Sequence, residues 1–131
     1  MTYVPPFNVV RRRLFIHTVD GRGRVNISYQ EFLDFIKLML RGVAVDERWY
    51  LNEYPDVAEA IRSGAYKSAK HHFVEEGYFE GRKPAEAVVD ADWYVENNQD
   101  VAEGIKSGQI ASAQEHFLMH GYGEGRLPSK Y

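Results

Sequence analysis

The fold is decided by two stretches that align without a gap: residues 46–84 read DERWYLNEYPDVAEAIRSGAYKSAKHHFVEEGYFEGRKP, and residues 90–128 read DADWYVENNQDVAEGIKSGQIASAQEHFLMHGYGEGRLP. Identical residues recur at one constant spacing, because position 46 matches position 90 and every later match keeps that offset. A fixed period indicates a repeated unit that buries apolar surface partly against its neighbour. We therefore expect two copies of one small unit, named here the first copy (46–84) and the second copy (90–128).

The first copy carries the start and stop signals of three short helices. Asp46 can cap the first helix through its side chain, and Pro55 suits the first turn of the next helix. Gly64 is a typical stop after that second helix. Ser68 can cap a third helix, which Gly77 is expected to close. The second copy repeats these signals, so the pattern predicts a small all-helical unit made twice.

The segment before the repeat, residues 1–45, allows two interpretations. In one, a helix over 7–19, a loop over 20–31 and a second helix form a helix-loop-helix. In the other, residues 14–29 form a β-hairpin around an Asp-Gly turn. The helix-loop-helix is favoured because the loop meets several independent requirements of a known calcium loop. Both interpretations place a helix over residues 30–40.

That loop resembles an EF-hand, with Asp20 in its first position, Ile27 in its eighth and Glu31 in its twelfth. The third and fifth positions should offer oxygen to calcium, but they hold Arg22 and Arg24. Two guanidinium groups repel a cation and remove two of its ligands. We expect a degenerate loop without calcium, in which Asp20 and Glu31 are the remaining candidate metal ligands. The unpaired Ile27 favours self-association, with a homodimer as the simplest form.

The repeat itself resembles a short module of bacterial proteins. The resemblance rests on Trp-Tyr-Leu at 49–51, Pro-Asp-Val-Ala at 55–58, Ser-Ala-x-x-His-Phe at 68–73 and Gly-Tyr-x-Glu-Gly-Arg-x-Pro at 77–84. Such modules occur beside glycosyltransferase domains of surface-polysaccharide synthesis and in large exported calcium-binding repeat proteins. The resemblance spans residues 46–128 and implies an accessory role near carbohydrate-making or cell-surface machinery.

Composition and charge narrow the classes of function. The chain is 44% hydrophobic and 27% charged, without cysteine, which is ordinary for a globular protein and gives neither a disulfide nor a thiolate site. Residues 1–45 hold seven Lys/Arg against three Asp/Glu, whereas residues 46–131 hold nine against sixteen. Opposite charges favour docking of these segments or association of chains over nucleic-acid binding. Neither a secretory leader nor a membrane span is visible, so a cytoplasmic location is expected.

The polar residues that recur in both copies are the first candidates for a site. His72 and His116 are expected to pack and hydrogen-bond at the rim of the core. His116 and His120 lie four residues apart, a spacing that can hold a metal ion, although no third ligand is obvious. Arg82 and Arg126 could bind an anion. An internal clamp is favoured instead, with Asp56 and Asp100 as the partners, because both members of each pair recur.

Aromatic side chains are the second set of candidates. Trp49 and Trp93 stand where a helix needs an apolar anchor, and they are predicted to lie in the core. Four tyrosines are predicted to be partly exposed and to offer surfaces that suit a protein or a sugar: Tyr54, Tyr66, Tyr78 and Tyr122.

Together these patterns predict an all-α protein with an EF-hand-like segment at 1–45 and helical modules at 46–88 and 89–131. The expected function is a non-enzymatic protein-interaction or scaffolding module, with a protein partner and no cofactor. The alternatives are a carbohydrate-binding module and a calcium-responsive regulator. An enzyme is the least supported class, since the sequence shows no nucleophile-base-acid set, phosphate loop or dinucleotide fingerprint.

Overall fold

The computed structural model of the chain describes residues 5–14 and 25–131. Every regular element in these ranges is helical and none is a strand, so the predicted all-α class is confirmed. The alternative hairpin over 14–29 lies mostly outside the described residues, and positions 25–28 carry no strand. The chain divides into two compact units, Met1–Ala85 and Glu86–Tyr131.

The first unit opens with two helices, α1 (Phe7–Arg13) and α2 (Tyr29–Leu40). The helix predicted over 7–19 is thus seen as far as Arg13, with Leu14 in a turn and the remaining positions outside the described residues. The helix predicted over 30–40 is α2. Its start is fixed by a capping box, in which Ser28 Oγ accepts from the Glu31 N–H at 3.1 Å and Glu31 Oε1 accepts from the Ser28 N–H at 3.3 Å.

The first copy folds as α3 (Glu47–Glu53), α4 (Pro55–Arg62) and α5 (Ala69–His72). Asp46 and Ser68 cap α3 and α5 as predicted, each accepting a backbone N–H three residues later. Gly64 ends α4 with φ 85°, in the left-handed region that glycine adopts without a Cβ penalty. The predicted boundaries in this copy therefore hold up to α5.

The second copy folds in the same order, as α6 (Ala91–Asn97), α7 (Gln99–Lys106) and α8 (Ala113–His116). Asp90 caps α6 and Ser112 caps α8, again through an oxygen that accepts a backbone N–H. Gly108 takes φ 80° after α7. Gln99 occupies the helix start that Pro55 occupies in the first copy, because proline is tolerated there and is not required.

The third helix of each copy departs from prediction. It was expected to close at Gly77 as one helix, and the helical stretch does reach Gly77, but at Phe73 α5 passes into a π-helical turn, Phe73–Gly77. The Tyr78 N–H donates to the Phe73 carbonyl five residues earlier, at 2.9 Å. The left-handed glycine comes later, at Gly81, with φ 80°. The second copy has the same turn at Phe117–Gly121.

The glycine that ends each of these turns packs against the core. Tyr50 is fully buried, and a Cβ at Gly77 would overlap its hydroxyl. Tyr94 is likewise fully buried and stands in the same relation to Gly121. Both glycines are therefore needed for close packing and not as left-handed stops.

The tryptophans predicted as core anchors are only half-buried. Trp49 packs edge-on against Tyr54, with ring centroids 6.0 Å apart, at the margin of the core. The inward position belongs to the next residue, Tyr50, because its hydroxyl finds a buried partner. The same holds for Tyr94, the residue after Trp93.

Each copy also joins its own two ends. The Asp46 N–H donates to the Pro84 carbonyl at 2.9 Å, and the Asp90 N–H donates to the Pro128 carbonyl at 3.0 Å. Among the helices of the described residues, none combines the length and apolar character needed to cross a membrane.

Candidate functional site

Buried tyrosine–histidine pairs lie at the centre of both copies. Tyr50 Oη lies 2.9 Å from His72 Nδ1, and Tyr94 Oη lies 2.9 Å from His116 Nδ1. Burial raises the pKa of Tyr50 to about 12. Burial, followed by the positive charge of Arg82, lowers the pKa of His72. The first pair is therefore held neutral at physiological pH. Both histidines pack and hydrogen-bond, but they are buried inside the core and not at its rim, where the repeat pattern predicted them.

Arg82 makes a two-pronged bond to Asp56, with Nη1–Oδ1 2.9 Å and Nη2–Oδ2 2.7 Å, and its Nε donates to Glu80 at 2.7 Å. Its guanidinium also lies 4.9 Å from the centre of the Tyr54 ring. The hydrogen bond from Arg82 lowers the pKa of Asp56. Asp56 is the partner that the internal-clamp interpretation requires, and the bond ties the tail of the first copy to the start of α4.

The second copy contains the equivalent clamp. Arg126 donates to Asp100 at 2.8 and 2.7 Å, to Glu124 at 2.6 Å and to the Asn98 side chain at 3.0 Å. The hydrogen bond from Arg126 lowers the pKa of Asp100 to about 2. The sequence left open whether Arg82 and Arg126 bind an anionic ligand or form an internal clamp. In the structure, all three guanidinium nitrogens of each arginine donate to carboxylates of the same copy.

One group in the described part of the chain has metal-ligand geometry: His72, Glu76 and Glu80 offer atoms within 4.8 Å of one another. Each of the three already has a partner. His72 Nδ1 faces Tyr50, Glu80 accepts from Arg82, and Glu76 is hydrogen-bonded to Tyr66, whose pKa this bond raises to about 12. A cation at this position would also meet the Arg82 charge. We interpret the group as part of the hydrogen-bonded frame of the copy.

Those metal candidates from the sequence that the structure describes form no common site. The His116 and His120 rings lie 5.6 Å apart, but no third ligand joins them within residues 25–131. Glu31 serves the capping box of α2, and Asp20 lies outside the described residues.

The four candidate tyrosines divide into two pairs. Tyr54 is half-buried and accepts a hydrogen bond from the Lys83 N–H at 3.0 Å, and Tyr66 is half-buried in the network just described. Tyr78 and Tyr122 are more exposed, and both stand edge-on against a buried phenylalanine. Only this second pair presents a sizeable surface to a ligand.

A groove that sequence reasoning missed lies in the first unit, between α2 and the π-helical turn of the first copy. Its volume is about 330 Å³, and its lining includes Tyr29, Leu33 and Phe79, with acids along the rim. Lys37 Nζ bridges one side to Glu75 Oε2 at 2.8 Å. The groove joins residues from distant parts of the chain, so no local motif reveals it. The one available sequence signal is an aromatic residue, Tyr29, directly after the capping residue of an apolar helix.

Comparisons with protein-family models, with curated proteins and with solved structures found no match for this chain.

Proposed function

We propose that this chain is a non-enzymatic interaction module that binds a protein partner through exposed apolar side chains on its helical units. The observation that carries this proposal is the way the recurring polar groups are used. His72 is bonded to Tyr50, and Arg82 is bonded to Asp56 and Glu80, within one copy. In the described residues, no buried side-chain nitrogen or oxygen lacks a hydrogen-bond partner. Histidine and arginine, which often act in catalysis or ligand binding, are thus used here for hydrogen bonds within the copy.

The exposed surface supports a protein partner. Tyr29, Phe32 and Phe79 are exposed around or beside the groove of the first unit. Aromatic residues are enriched in the buried centres of protein interfaces, and contiguous exposed apolar surface marks interaction sites. Lys37 and Glu75 stand at the same groove as a charged pair, which gives the surface a polar margin of the kind that interfaces carry.

The cellular setting is proposed from the resemblance of the repeat. Modules of that kind stand beside glycosyltransferases and in exported repeat proteins, so we place this chain as an accessory component of surface-polysaccharide synthesis or secretion. Its partner in that setting would be a protein of the same machinery.

The test is an affinity capture from native lysate with the full tagged chain, in which bound proteins and bound glycans are both quantified. A parallel capture uses Phe79→Asp, and Tyr131→Ser serves as the matched control, since Tyr131 is fully exposed at the end of the other unit. We expect a stoichiometric protein that Phe79→Asp loses and Tyr131→Ser keeps. Recovery of glycan without protein would overturn the proposal.

Glycan binding is the second candidate, and the exposure of Tyr78 and Tyr122 is the observation that favours it. A sugar ring stacks on an exposed aromatic plane in much the same way as an apolar protein group does. If the captured ligand is a glycan, we expect Tyr78→Ala to weaken its binding in calorimetry. A half-buried tyrosine such as Tyr54 would be the matched control, because its ring is already covered by Arg82.

A further inference from the structure

In the first copy, helix α2 covers the π-helical turn, and we call α2 the cover of this copy. Helix α2 lies against its π-helical turn, where Leu40 of α2 joins Val74 and Phe73 in one buried cluster and Ile36 packs on that cluster. Lys37 adds its ion pair with Glu75. Val74 is consequently only 6% exposed. The α2 residues that contact the copy recur every three or four positions, which is one stripe of an amphipathic helix.

Within Glu86–Tyr131, the second copy has the same surface but no helix that corresponds to α2. Leu118 stands where the first copy has Val74, and it is 41% exposed. Met119 stands where the first copy has Glu75, and it is 67% exposed. We call these two residues on the π-helical turn Phe117–Gly121 the open face.

The surroundings of the open face also match the first copy. Val43 and Val45 flank the covered surface of the first copy, and Ala87 and Val89 pack on the core of the second copy in the corresponding positions. Residues 85–89, which lead into the second copy, form no helix. The positions that would supply one by the repeat spacing, 73–84, belong to the end of the first copy. The unit Glu86–Tyr131 therefore repeats the surface of the first copy but not the helix that lies on it.

We propose that the open face docks an amphipathic helix of a partner protein in the way the first copy docks α2. This occupant presents an apolar stripe at three- and four-residue spacing, as Leu33, Ile36 and Leu40 do on α2. Where α2 carries Lys37, the partner helix carries an apolar residue, because Met119 replaces the carboxylate that Lys37 bonds. The larger Leu118 and the uncharged Met119 make this surface more apolar than its covered counterpart.

The α2 helix of a second chain is a poorer occupant. Its inward stripe already lies on its own first copy, where Leu40 is buried, so it would first have to leave that site. The partner helix therefore comes from another protein, and this docking face presupposes the proposed interaction function.

The test uses the full chain and two labelled peptides of residues 26–42, both carrying Phe32→Lys and Met39→Lys for solubility. Fluorescence anisotropy compares the peptide that keeps Lys37 with the peptide that carries Lys37→Leu. We expect the Lys37→Leu peptide to bind the native chain about tenfold more tightly, since only that peptide lacks an unpaired charge at Met119. In a Met119→Glu chain the order should reverse, because the carboxylate now pairs with lysine.

Leu118→Asp should weaken the Lys37→Leu peptide by at least about tenfold, since a charge then faces the apolar stripe. Val88→Asp is the matched control, because Val88 is also an exposed aliphatic residue and is not part of the open face. The docking face would be overturned if the Leu118→Asp chain bound the Lys37→Leu peptide as tightly as the native chain does, or if the native chain bound neither peptide. Sedimentation that shows self-association abolished by Leu118→Asp would also overturn it, by identifying a second chain as the occupant.

These outcomes separate the two proposals. If the lysate capture yields a protein that the Leu118→Asp chain still binds, the interaction function survives and the docking face fails. If the capture yields glycan alone, the proposed function fails and the docking face loses its partner protein, even where the Lys37→Leu peptide still binds through Leu118.

Discussion

The Tyr50 hydroxyl lies 2.9 Å from His72 Nδ1 in a core where both side chains are buried, with Gly77 packed directly against that hydroxyl. This contact joins α3 to α5 through side chains twenty-two positions apart. The loss of either partner leaves a polar atom buried without a hydrogen bond, which is the costly way to break such a pair.

We therefore predict that Tyr50→Phe lowers the free energy of unfolding of the first unit by about 1–3 kcal/mol. Each copy contains one tryptophan, so urea unfolding followed by fluorescence can be assigned to a unit: Trp93→Phe leaves Trp49 as the reporter of the first unit. Tyr131→Phe, at a fully exposed position, is the matched control and should change nothing. An unchanged midpoint in Tyr50→Phe would show that the hydrogen bond contributes no net stability.

Gly77→Ala is predicted to destabilise the first unit by about 1–3 kcal/mol, because its new methyl group overlaps the Tyr50 hydroxyl. The matched control is Gly123→Ala, since a Cβ there meets only the His120 carbonyl at an ordinary 3.7 Å. Combining Gly77→Ala with Tyr50→Phe removes the overlapping oxygen. The double variant should therefore lose less stability than the sum of the two single variants, and strict additivity would contradict the packing account.

Arg82→Ala is predicted to lower the stability of the first unit by about 1 kcal/mol, through loss of its two bonds to Asp56 and its packing over Tyr54. The matched control is Arg62→Ala. Arg62 pairs with Glu59 on an exposed face, where an ion pair contributes less than about 0.5 kcal/mol. Thermal unfolding of the native chain and of the two variants checks that Arg82→Ala loses more stability than Arg62→Ala. Unchanged stability in Arg82→Ala, combined with a loss of ligand binding, would instead identify an anion site.

Acid is predicted to destabilise the first unit from near-neutral pH. Burial lowers the folded-state pKa of His72 below its ordinary 6.5, although the nearby carboxylates of Glu76 and Glu80 partly oppose the shift. The unfolded chain then binds the proton first, so stability is complete above pH 6.5 and falls as the pH drops towards the folded-state pKa. Urea midpoints at pH 7.5 and 5.5 measure the fall.

His72→Gln is the control for this pH effect, because glutamine can still bond to Tyr50 but does not titrate. We expect a flatter profile between pH 7.5 and 5.5 in that variant. Below pH 4 both chains should lose further stability, since the hydrogen bond to Arg82 lowers the pKa of Asp56 and that contribution disappears when the carboxylate is protonated. A profile that rises on acidification would contradict the assignment.

Sequence patterns predicted those features that depend on local chemistry. Asp46, Pro55 and Gly64 mark helix ends through their own side chains or backbone freedom, and the helices begin and end beside them. The partnership of Arg82 with Asp56 was also accessible, because both members recur in the second copy.

Features that depend on three-dimensional fit could not be predicted in this way. Whether Trp49 or Tyr50 faces inward is decided by His72 and Gly77, which lie on another helix. The need for glycine at position 77 comes from the same fit, since a Cβ there would overlap the Tyr50 hydroxyl. The exposure of Leu118 depends on a helix that is present in one unit and absent from the other, and periodicity within a copy carries no information about it.

The bond between the Asp46 N–H and the Pro84 carbonyl brings the first and last residues of a copy side by side. A copy whose two ends lie side by side can be inserted into a surface loop of another protein with little change in the loop, because the chain enters and leaves the copy at the same place. The same geometry allows circular permutation, in which a short bridge joins residue 84 to residue 46 and new ends open at the Ser63–Gly64 turn. The geometry of its ends therefore suits a copy to insertion or duplication as one cassette.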